Sequence, residues 1–438
     1  EGTGRGRVGG KGTARRVELS GVRDGHVIVV DLGFGDAGKG ATVDWLCSRD
    51  GGAPVSAVVR FNGGAQAAHN VIAEGRHHTF AQFGSGTFSD VPTLLSRHML
   101  VEPIALAGEA RQLAALGVAD PLRLVRIDGR ALLTTPIHIA ANRAREDARG
   151  SSRHGSCGRG IGETARYALE FDAPRVEDCL RPSVLAEKLR LLAAHYGPLI
   201  APGAHRYEPI ADLVDMYREF AAAVRVVGPG ELAALASRGR LIFEGAQGVL
   251  LDEWRGFPPH TTWSTVEPAN ARALLAEIDA TAFTLGVTRT YATRHGAGPF
   301  PTEDPELRVP EPHNTHGPYQ GSFRRGHADP LLLRYAVAAC GGVDGLAVTH
   351  LDAPSTVRAA TAYRTGDGVL TDLPPSAGRD LDRQRRLTDL LYAAEPVLAE
   401  LPADRVGWFH EQTGVPVVLT SDGADRAARV ATSAVSVR

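Results

Sequence analysis

The sequence predicts an α/β protein with a large, mostly parallel central sheet. Three observations carry that expectation. Short apolar runs rich in β-branched residues recur along the chain, helical stretches separate them, and the first run opens through a glycine loop into a helix. That first run is His26-Val-Ile-Val-Val-Asp31, followed by Gly33-Phe-Gly-Asp-Ala-Gly-Lys-Gly40 and then by Ala41-Thr-Val-Asp-Trp-Leu-Cys47, which reads as strand, loop and helix. Ala57-Val-Val-Arg-Phe61 repeats the strand pattern and runs into a second glycine-bearing loop, Asn62-Gly-Gly-Ala-Gln-Ala-Ala-His69. Helices are expected over Val184–His195, Leu213–Val224 and Pro330–Ala339. Further strands are expected at Arg240–Phe243, Thr281–Leu285 and Gly345–Thr349. Residues 1–25, rich in Gly and Arg without hydrophobic periodicity, are expected as a disordered tail, and 26–438 as one domain with inserted subdomains.

Composition narrows the function classes. The chain has 438 residues, 43% of them hydrophobic and 22% charged, with a net charge of −2, which gives no electrostatic reason to expect nucleic acid or an anionic membrane as partner. No apolar run approaches the roughly 20 residues of a membrane helix, and residues 1–25 hold no apolar stretch of the kind a secretory signal needs. Cys47, Cys157, Cys179 and Cys340 are scattered without disulfide or C-x-x-C spacing, so a cytoplasmic setting is expected. The histidines show no metal-ligand spacing, and His77-His78 reads as a solvent-exposed turn.

Lysine is scarce in this chain, at positions 11, 39 and 188, against a large excess of arginine. Lys39 therefore stands out, because it closes the string Gly33-x-x-x-x-Gly38-Lys39. A glycine turn at a strand end exposes several N–H groups and feeds a helix whose N-terminus favours anions. A lysine there reaches phosphate oxygens as a compact point charge. The loop is P-loop-like but not standard, since Gly40 stands where a Ser or Thr would hold magnesium. Asp36, inside the loop, is the candidate oxygen in its place.

The segment Gly35-Asp-Ala-Gly-Lys-Gly40 resembles the G-D-E-G-K-G loop of the adenylosuccinate synthetase family, which joins aspartate to inosine monophosphate at the expense of GTP. The likeness continues in order. Arg60-Phe-Asn-Gly-Gly64 with His69 resembles R-x-Q-G-G-x-N-A-G-H, and Gly158-Arg-Gly-Ile-Gly162 resembles the end of G-T-T-G-R-G-I-G. Phe243-Glu-Gly-Ala-Gln-Gly248 with Leu250-Leu-Asp252 is similar to F-E-G-A-Q-G-x-L-L-D, and Tyr291 to Glu303 to Y-x-T-R-V-G-x-G-P-F-P-T-E. Thr349-His-Leu-Asp352 resembles the guanine-reading T-K-L-D, and Ser421-Asp-Gly-Ala-Asp-Arg426 resembles S-T-G-P-D-R.

The resemblance implies a GTP-dependent carbon–nitrogen ligase that works with Mg2+ as a homodimer. In it Asp36 is the general base and a magnesium ligand, with Ala68 at the second metal position. His69 bonds the transferring phosphoryl group, Lys39 neutralises charge, and Gln247 holds the activated base. GTP contacts fall at Gly35, Ala37, Gly38, Lys39, Gly40, His350, Asp352, Ser421 and Gly423. Asp352 accepts two hydrogen bonds from guanine, which adenine does not offer. Acceptor and amine contacts fall at Gln66, Ser156, Cys157 and Arg159, and at Thr262, Arg294, Ser322 and Arg324.

Departures from the family concentrate around the acceptor and the amine. Its amine-binding loop, T-T-G-R-R-R-R, grips carboxylates with arginine forks, whereas this chain reads Pro318-Tyr-Gln-Gly-Ser-Phe-Arg-Arg325. Gly321, Ser322 and Phe323 stand at three of the four arginine positions, and Arg324 survives. Ser156 and Cys157 replace two threonines. The arginine that crosses the family's dimer interface falls near Phe171 and Asp172, where a carboxylate repels phosphate. Gln66 and Ala68 replace an Asn and a Gly, Ala37 a Glu, and His350 a Lys. Altered substrates on a retained GTP step are the leading expectation. The rivals are a true adenylosuccinate synthetase whose pockets use compensating residues, a phosphotransferase that stops before the amine step, and a non-catalytic GTP-binding protein.

Overall fold

The structure, a computed structural model, describes residues 20–150, 156–311 and 321–432. Strand β1 (His26–Asp31) lies in the middle of a ten-stranded sheet. From one edge, the order is Arg429–Ala431, Val417–Ser421, Gly345–Thr349, Ala282–Arg289, β1, Arg240–Gly248, β2 (Val55–Arg60), Thr93–Leu95, Val125–Asp128 and Arg225–Val227. Every neighbouring pair is parallel except the edge pair of Val417–Ser421 with Arg429–Ala431. The expected α/β fold with a mostly parallel sheet is present.

β1 shows why the apolar runs are continuous rather than alternating. Ile28 and Val30 enter one hydrophobic cluster and Val27 and Val29 another on the opposite face, so both faces need apolar side chains. A third cluster gathers the helices Pro103–Ala115, Pro136–Arg149, Pro182–Ile200 and Ile210–Ala223 over the far end of the sheet. No helix among the described residues is long and apolar enough to cross a membrane.

Several boundaries differ from the sequence reading. The expected tail overlaps ordered structure: Ser20–Asp24 forms helix α1, and Val22 is buried beneath it. The buried Arg240 guanidinium ties α1 down by donating to the carbonyls of Val22, Leu46, Gly51 and Ala53. Residues 1–19 lie outside the described residues. The strand expected at Arg240–Phe243 runs on to Gly248, pairing Glu244 with Arg60 and Gly248 with Asp31. His77-His78 is not a turn. Both residues sit in strand Arg76–Phe80, where His78 is buried, edge-on to Phe80 and 3.7 Å from Glu109.

The extension to Gly248 brings the end of that strand against the glycine loop. A Cβ on Gly248 would lie 2.1 Å from the Gly33 carbonyl oxygen and 2.3 Å from the Gly35 nitrogen, both of them backbone atoms. Gly248→Ala is therefore expected to displace the loop and to lower stability by roughly 1–3 kcal/mol. Urea denaturation, together with loss of nucleotide binding, checks it.

Candidate functional site

The loop between β1 and helix α2 (Lys39–Cys47) is organised around one buried carboxylate. Asp31 Oδ1 accepts from the Gly33 and Gly35 amides at 2.8 and 3.3 Å, while Oδ2 accepts from the Ala37 amide at 2.8 Å and from Lys39 Nζ at 3.1 Å. Gly35, Asp36 and Gly38 adopt left-handed backbone with φ of 103°, 58° and 93°. Gly38 begins α2 without a side-chain cap, which leaves amide donors of the first turn for an anion. Sequence reasoning placed Asp31 only as a strand end.

Gly40 has a steric reason to be glycine. A Cβ there would lie 2.5 Å from His69 Cβ and 3.0 Å from Ser85 Oγ. The missing side chain thus brings the second loop, and His69 with it, against the first turn of α2. His69 Nδ1 lies 2.7 Å from Glu244 Oε1, and the same carboxylate accepts from Ser85 Oγ at 2.5 Å and from the Ser85 amide at 3.0 Å. Burial raises the Glu244 carboxyl, but Arg60, His69 and Ser85 outweigh it and hold it at about 2. Burial lowers His69, with Arg60 and Lys39 adding to that against Glu244. His69 is therefore neutral near pH 7, its Nδ1–H donating to Glu244, while the buried Nε2 has no partner among the described residues. An arriving phosphoryl group bonded at Nε2 would favour the protonated ring, and Glu244 on the other nitrogen stabilises that form. Glu244 lay inside a quoted motif without being assigned a role; Ser85 gave no sequence signal.

Asp36 is partly exposed on the opposite side of the loop. Its Oδ2 lies 3.2 Å from His295 Nε2, and its carbonyl accepts from Arg289 Nη1 at 3.3 Å. Burial opposes ionisation of Asp36, but His295, Arg289 and Lys39 together hold its carboxyl below the usual carboxylate range. Lys39 acts electrostatically on both Asp36 and His69. Gln247, itself at φ 62°, accepts a 3.4 Å bond from Gln66. Asn62 holds that strand end in register, exchanging bonds with the Ala246 carbonyl and amide at 3.2 and 2.7 Å.

At the expected guanine end, Thr349 Oγ1 lies 2.9 Å from the Ala37 carbonyl and 2.8 Å from His350 Nδ1. Burial, then Arg289 and Arg429, push His350 toward its neutral form. Asp352 is exposed. Ser421 is buried; its carbonyl accepts from the Leu351 amide and its hydroxyl donates to Gly423. Thr349 touches the glycine loop, and the parallel strands ending at Asp31, Thr349 and Ser421 bring Gly35 to Gly40, His350, Asp352, Ser421 and Gly423 to one end of the sheet.

The acceptor and amine set is less uniform. Ser156 bonds Asn142 at 3.0 Å, Cys157 is half-buried, Arg159 is exposed, and the Thr262 amide donates to Leu251. Two arginines are engaged elsewhere. Arg294, only 1% exposed, donates to the carbonyls of Ala297, Pro299 and His260 and lies 4.2 Å over the Phe34 ring. That burial, with Arg324 adding, brings it down to about 9. Arg324 grips both oxygens of Glu303 at 2.8 and 2.5 Å and donates to the Gly296 and Gly298 carbonyls. Neither presents a fork to a ligand. Ser322 is exposed, and its carbonyl accepts from Gly296. Pro318, Tyr319 and Gln320 lie outside the described residues. Asp172 pairs with Lys188 at 3.0 Å, and Phe171 stacks on Tyr167. The repulsion expected of Asp172 is thus partly neutralised.

For a metal, the donors are hard oxygens: the Asp36 carboxylate and the carbonyl of the exposed Ala68. No cluster of three or more His, Cys, Asp or Glu suited to a metal occurs among the described residues. A sparse oxygen set suits Mg2+, which commonly takes one or two carboxylates plus substrate phosphates.

A family model described as adenylosuccinate synthetase matches residues 28–430. Curated adenylosuccinate synthetases include one from Neisseria meningitidis serogroup B, 30% identical over 92% of this chain and 97% of its own length. Another, from Alkalilimnicola ehrlichii, is 34% identical over 92% of this chain and 96% of its own. Among solved structures, fully ligated adenylosuccinate synthetase from Plasmodium falciparum superposes with TM-score 0.77 at 17% identity, covering 93% of this chain and 100% of that one. Succinoaminodeoxyadenylate synthetase of cyanophage S-2L, bound to dGMP and dATP, gives 0.58 at 16% identity, covering 94% and 96%.

The Glu244 carboxyl supplies a test by pH. A depressed folded pKa contributes stability that is present above the unfolded value near 4.5 and is lost as pH falls toward about 2. Glu244→Gln is expected to lower the urea midpoint at pH 7, with the gap to wild type narrowing below pH 4.5. Denaturation curves at several pH values check it.

Proposed function

This chain belongs to the adenylosuccinate synthetase family, and we infer that it keeps the family's GTP-dependent activation step while taking an amine other than aspartate. The observation that carries the reading is that one lysine, Lys39, acts electrostatically both on the partly exposed Asp36 carboxylate and on the buried His69 imidazole, whose Nε2 has no partner among the described residues, beside the glycine loop. In this reading Asp36 takes the ring N–H proton of an oxo-bearing acceptor. The exocyclic oxygen then gains the charge it needs to attack the γ-phosphoryl of GTP. His69, protonated at Nε2 once the phosphate is bound, donates to the moving phosphoryl oxygens, and Lys39 with the first-turn amides of α2 neutralises their charge. Asp36 and the Ala68 carbonyl hold Mg2+, which when bound neutralises charge on the phosphates. Gln247, bonded to Gln66, orients the acceptor ring. An amine then displaces phosphate, forming a C–N bond with GDP and phosphate as the other products.

The altered amine rests on the two arginines. Arg324 has Nε, Nη1 and Nη2 all engaged, and Arg294 is sealed in backbone carbonyls. Gripping a dicarboxylate through Arg324 would mean breaking its fork on Glu303. The retention of Asp36 and His69 argues against mere GTP binding, which needs neither.

GTP consumption with inosine monophosphate, with and without aspartate and then with a panel of other amines, tests both halves. The expected outcome is GDP release that depends on an acceptor and is completed by an amine other than aspartate. Asp36→Asn and His69→Asn are expected to lower turnover by about 100-fold or more while folding normally. Adenylosuccinate formed at ordinary family rates would reject the altered amine, and unchanged turnover in both variants would reject the assigned roles.

A further inference from the structure

His295 is the contact that neither the sequence reading nor the family pattern supplies, because the resembling motif has valine at that place. It closes the strand Ala292–His295, which pairs antiparallel with Phe323–Gly326, and His295 stands directly across from Phe323. The two rings lie 4.8 Å apart at 59°. Tilted against Phe323, the imidazole brings Nε2 to 3.2 Å from Asp36 Oδ2. Asp36 is thus held twice. Arg289, itself fixed by Glu311, Tyr291 and Thr293, takes its carbonyl, and His295 takes one carboxylate oxygen.

We propose that His295 is a positioning residue for Asp36: its Nε2–H holds Oδ2, fixing the carboxylate rotamer so that Oδ1 is directed to the acceptor. The claim rests on the function inferred above, in which Asp36 is the base. A carboxylate on a left-handed loop residue has no neighbouring turn to lock its rotamer, and a single donor of fixed direction supplies the missing constraint. Phe323 makes that donor usable. An arginine at position 323 would stand across from the imidazole and offer a permanently charged fork to the same carboxylate, whereas a phenyl ring offers no donor and packs the imidazole in place. The changes at 295 and 323 are therefore one coupled departure.

Two measurements test this. In protein carrying 15N-labelled histidine, the His295 ring, assigned by its loss in His295→Gln, is expected to carry its proton on Nε2 and to shift in Asp36→Asn. A ring protonated on Nδ1 alone, or one indifferent to Asp36→Asn, overturns the proposal. In turnover assays with the acceptor and amine that support the wild-type reaction, His295→Val is expected to lower kcat roughly 10- to 100-fold with little change in the KM for GTP. His295→Gln, which keeps an N–H donor at similar reach, is expected to recover most of that loss. Wild-type kcat in the valine variant, or glutamine no better than valine, overturns it. The spectrum needs no substrate, so the two readings fail separately. A wrong ring proton with robust turnover rejects the positioning role alone; the expected spectrum with no GTP turnover in any acceptor and amine pair rejects the ligase reading and the positioning role together.

Discussion

The site depends on the Asp31 carboxylate at the end of β1. Its two oxygens take three loop amides and the Lys39 ammonium with no exposure to solvent. Left unpaired, a charge in that place would cost several kcal/mol. Paired, it forces Gly33, Gly35 and Ala37 to point their N–H groups inward and bends the chain through left-handed backbone at Gly35 and Asp36. That bend turns the Asp36 side chain outward and starts α2 with free amide donors. It also keeps Lys39 under the loop instead of in solvent. A phosphate arriving at the helix N-terminus meets an ammonium already desolvated and oriented, so little reorganisation accompanies binding.

The sheet was legible because a doubly buried strand has to be apolar on both faces, and β1 and Gly345–Thr349 coincide with the runs that announce them. The strand ending at Gly248 was legible only to Phe243. Glu244-Gly-Ala-Gln-Gly248 has the composition of a loop, and the constraint that makes it a strand is close approach by other backbone and side chains. A Cβ on Gly245 would meet Phe61 at 2.9 Å, and one on Gly63 would meet Ala246 at 2.7 Å. Nothing local in the sequence encodes such contacts. The same limit hid Ser85, Glu244 and Asp31 as supports, since each acts through a partner distant in the chain or through backbone amides. Asp36, Lys39 and His69 could be singled out as candidates because short ordered motifs carry them. The roles given to Arg294 and Arg324 came with the family resemblance, and a motif match does not reveal that a guanidinium is already occupied by carbonyls or a carboxylate.

His69 and Asp36 show two ways of setting a polar group for chemistry. His69 is enclosed, with Glu244 fixing one nitrogen and burial keeping the ring neutral until an anion arrives. Asp36 is open, its ionisation favoured by the His295 contact and by Arg289 and Lys39, which together outweigh burial. The enclosed imidazole and the open carboxylate are pushed toward opposite proton demands, one prepared to gain a proton and the other to be ionised at rest. Environments that push two groups' proton demands apart are what assigns acid and base roles.

The two halves of the site differ in how freely they can change. Around the glycine loop, Gly40, Gly63 and Gly248 each allow a contact that a single Cβ would bring within 2.1 to 2.7 Å of another loop or strand. A substitution there shifts several segments together, because the neighbours are backbone or short side chains packed at the sheet end. The hairpin formed by Ala292–His295 and Phe323–Gly326 is different, since only two strands pair and the faces of His295 and Phe323 are half open. Side chains can be exchanged there without moving the sheet, provided each new polar atom finds a partner. The steric freedom to exchange a side chain therefore lies in the two-stranded ladder and not around the glycine loop. The hydrogen bond from His295 to Asp36 is where a change on the permissive side reaches the chemistry of the constrained one.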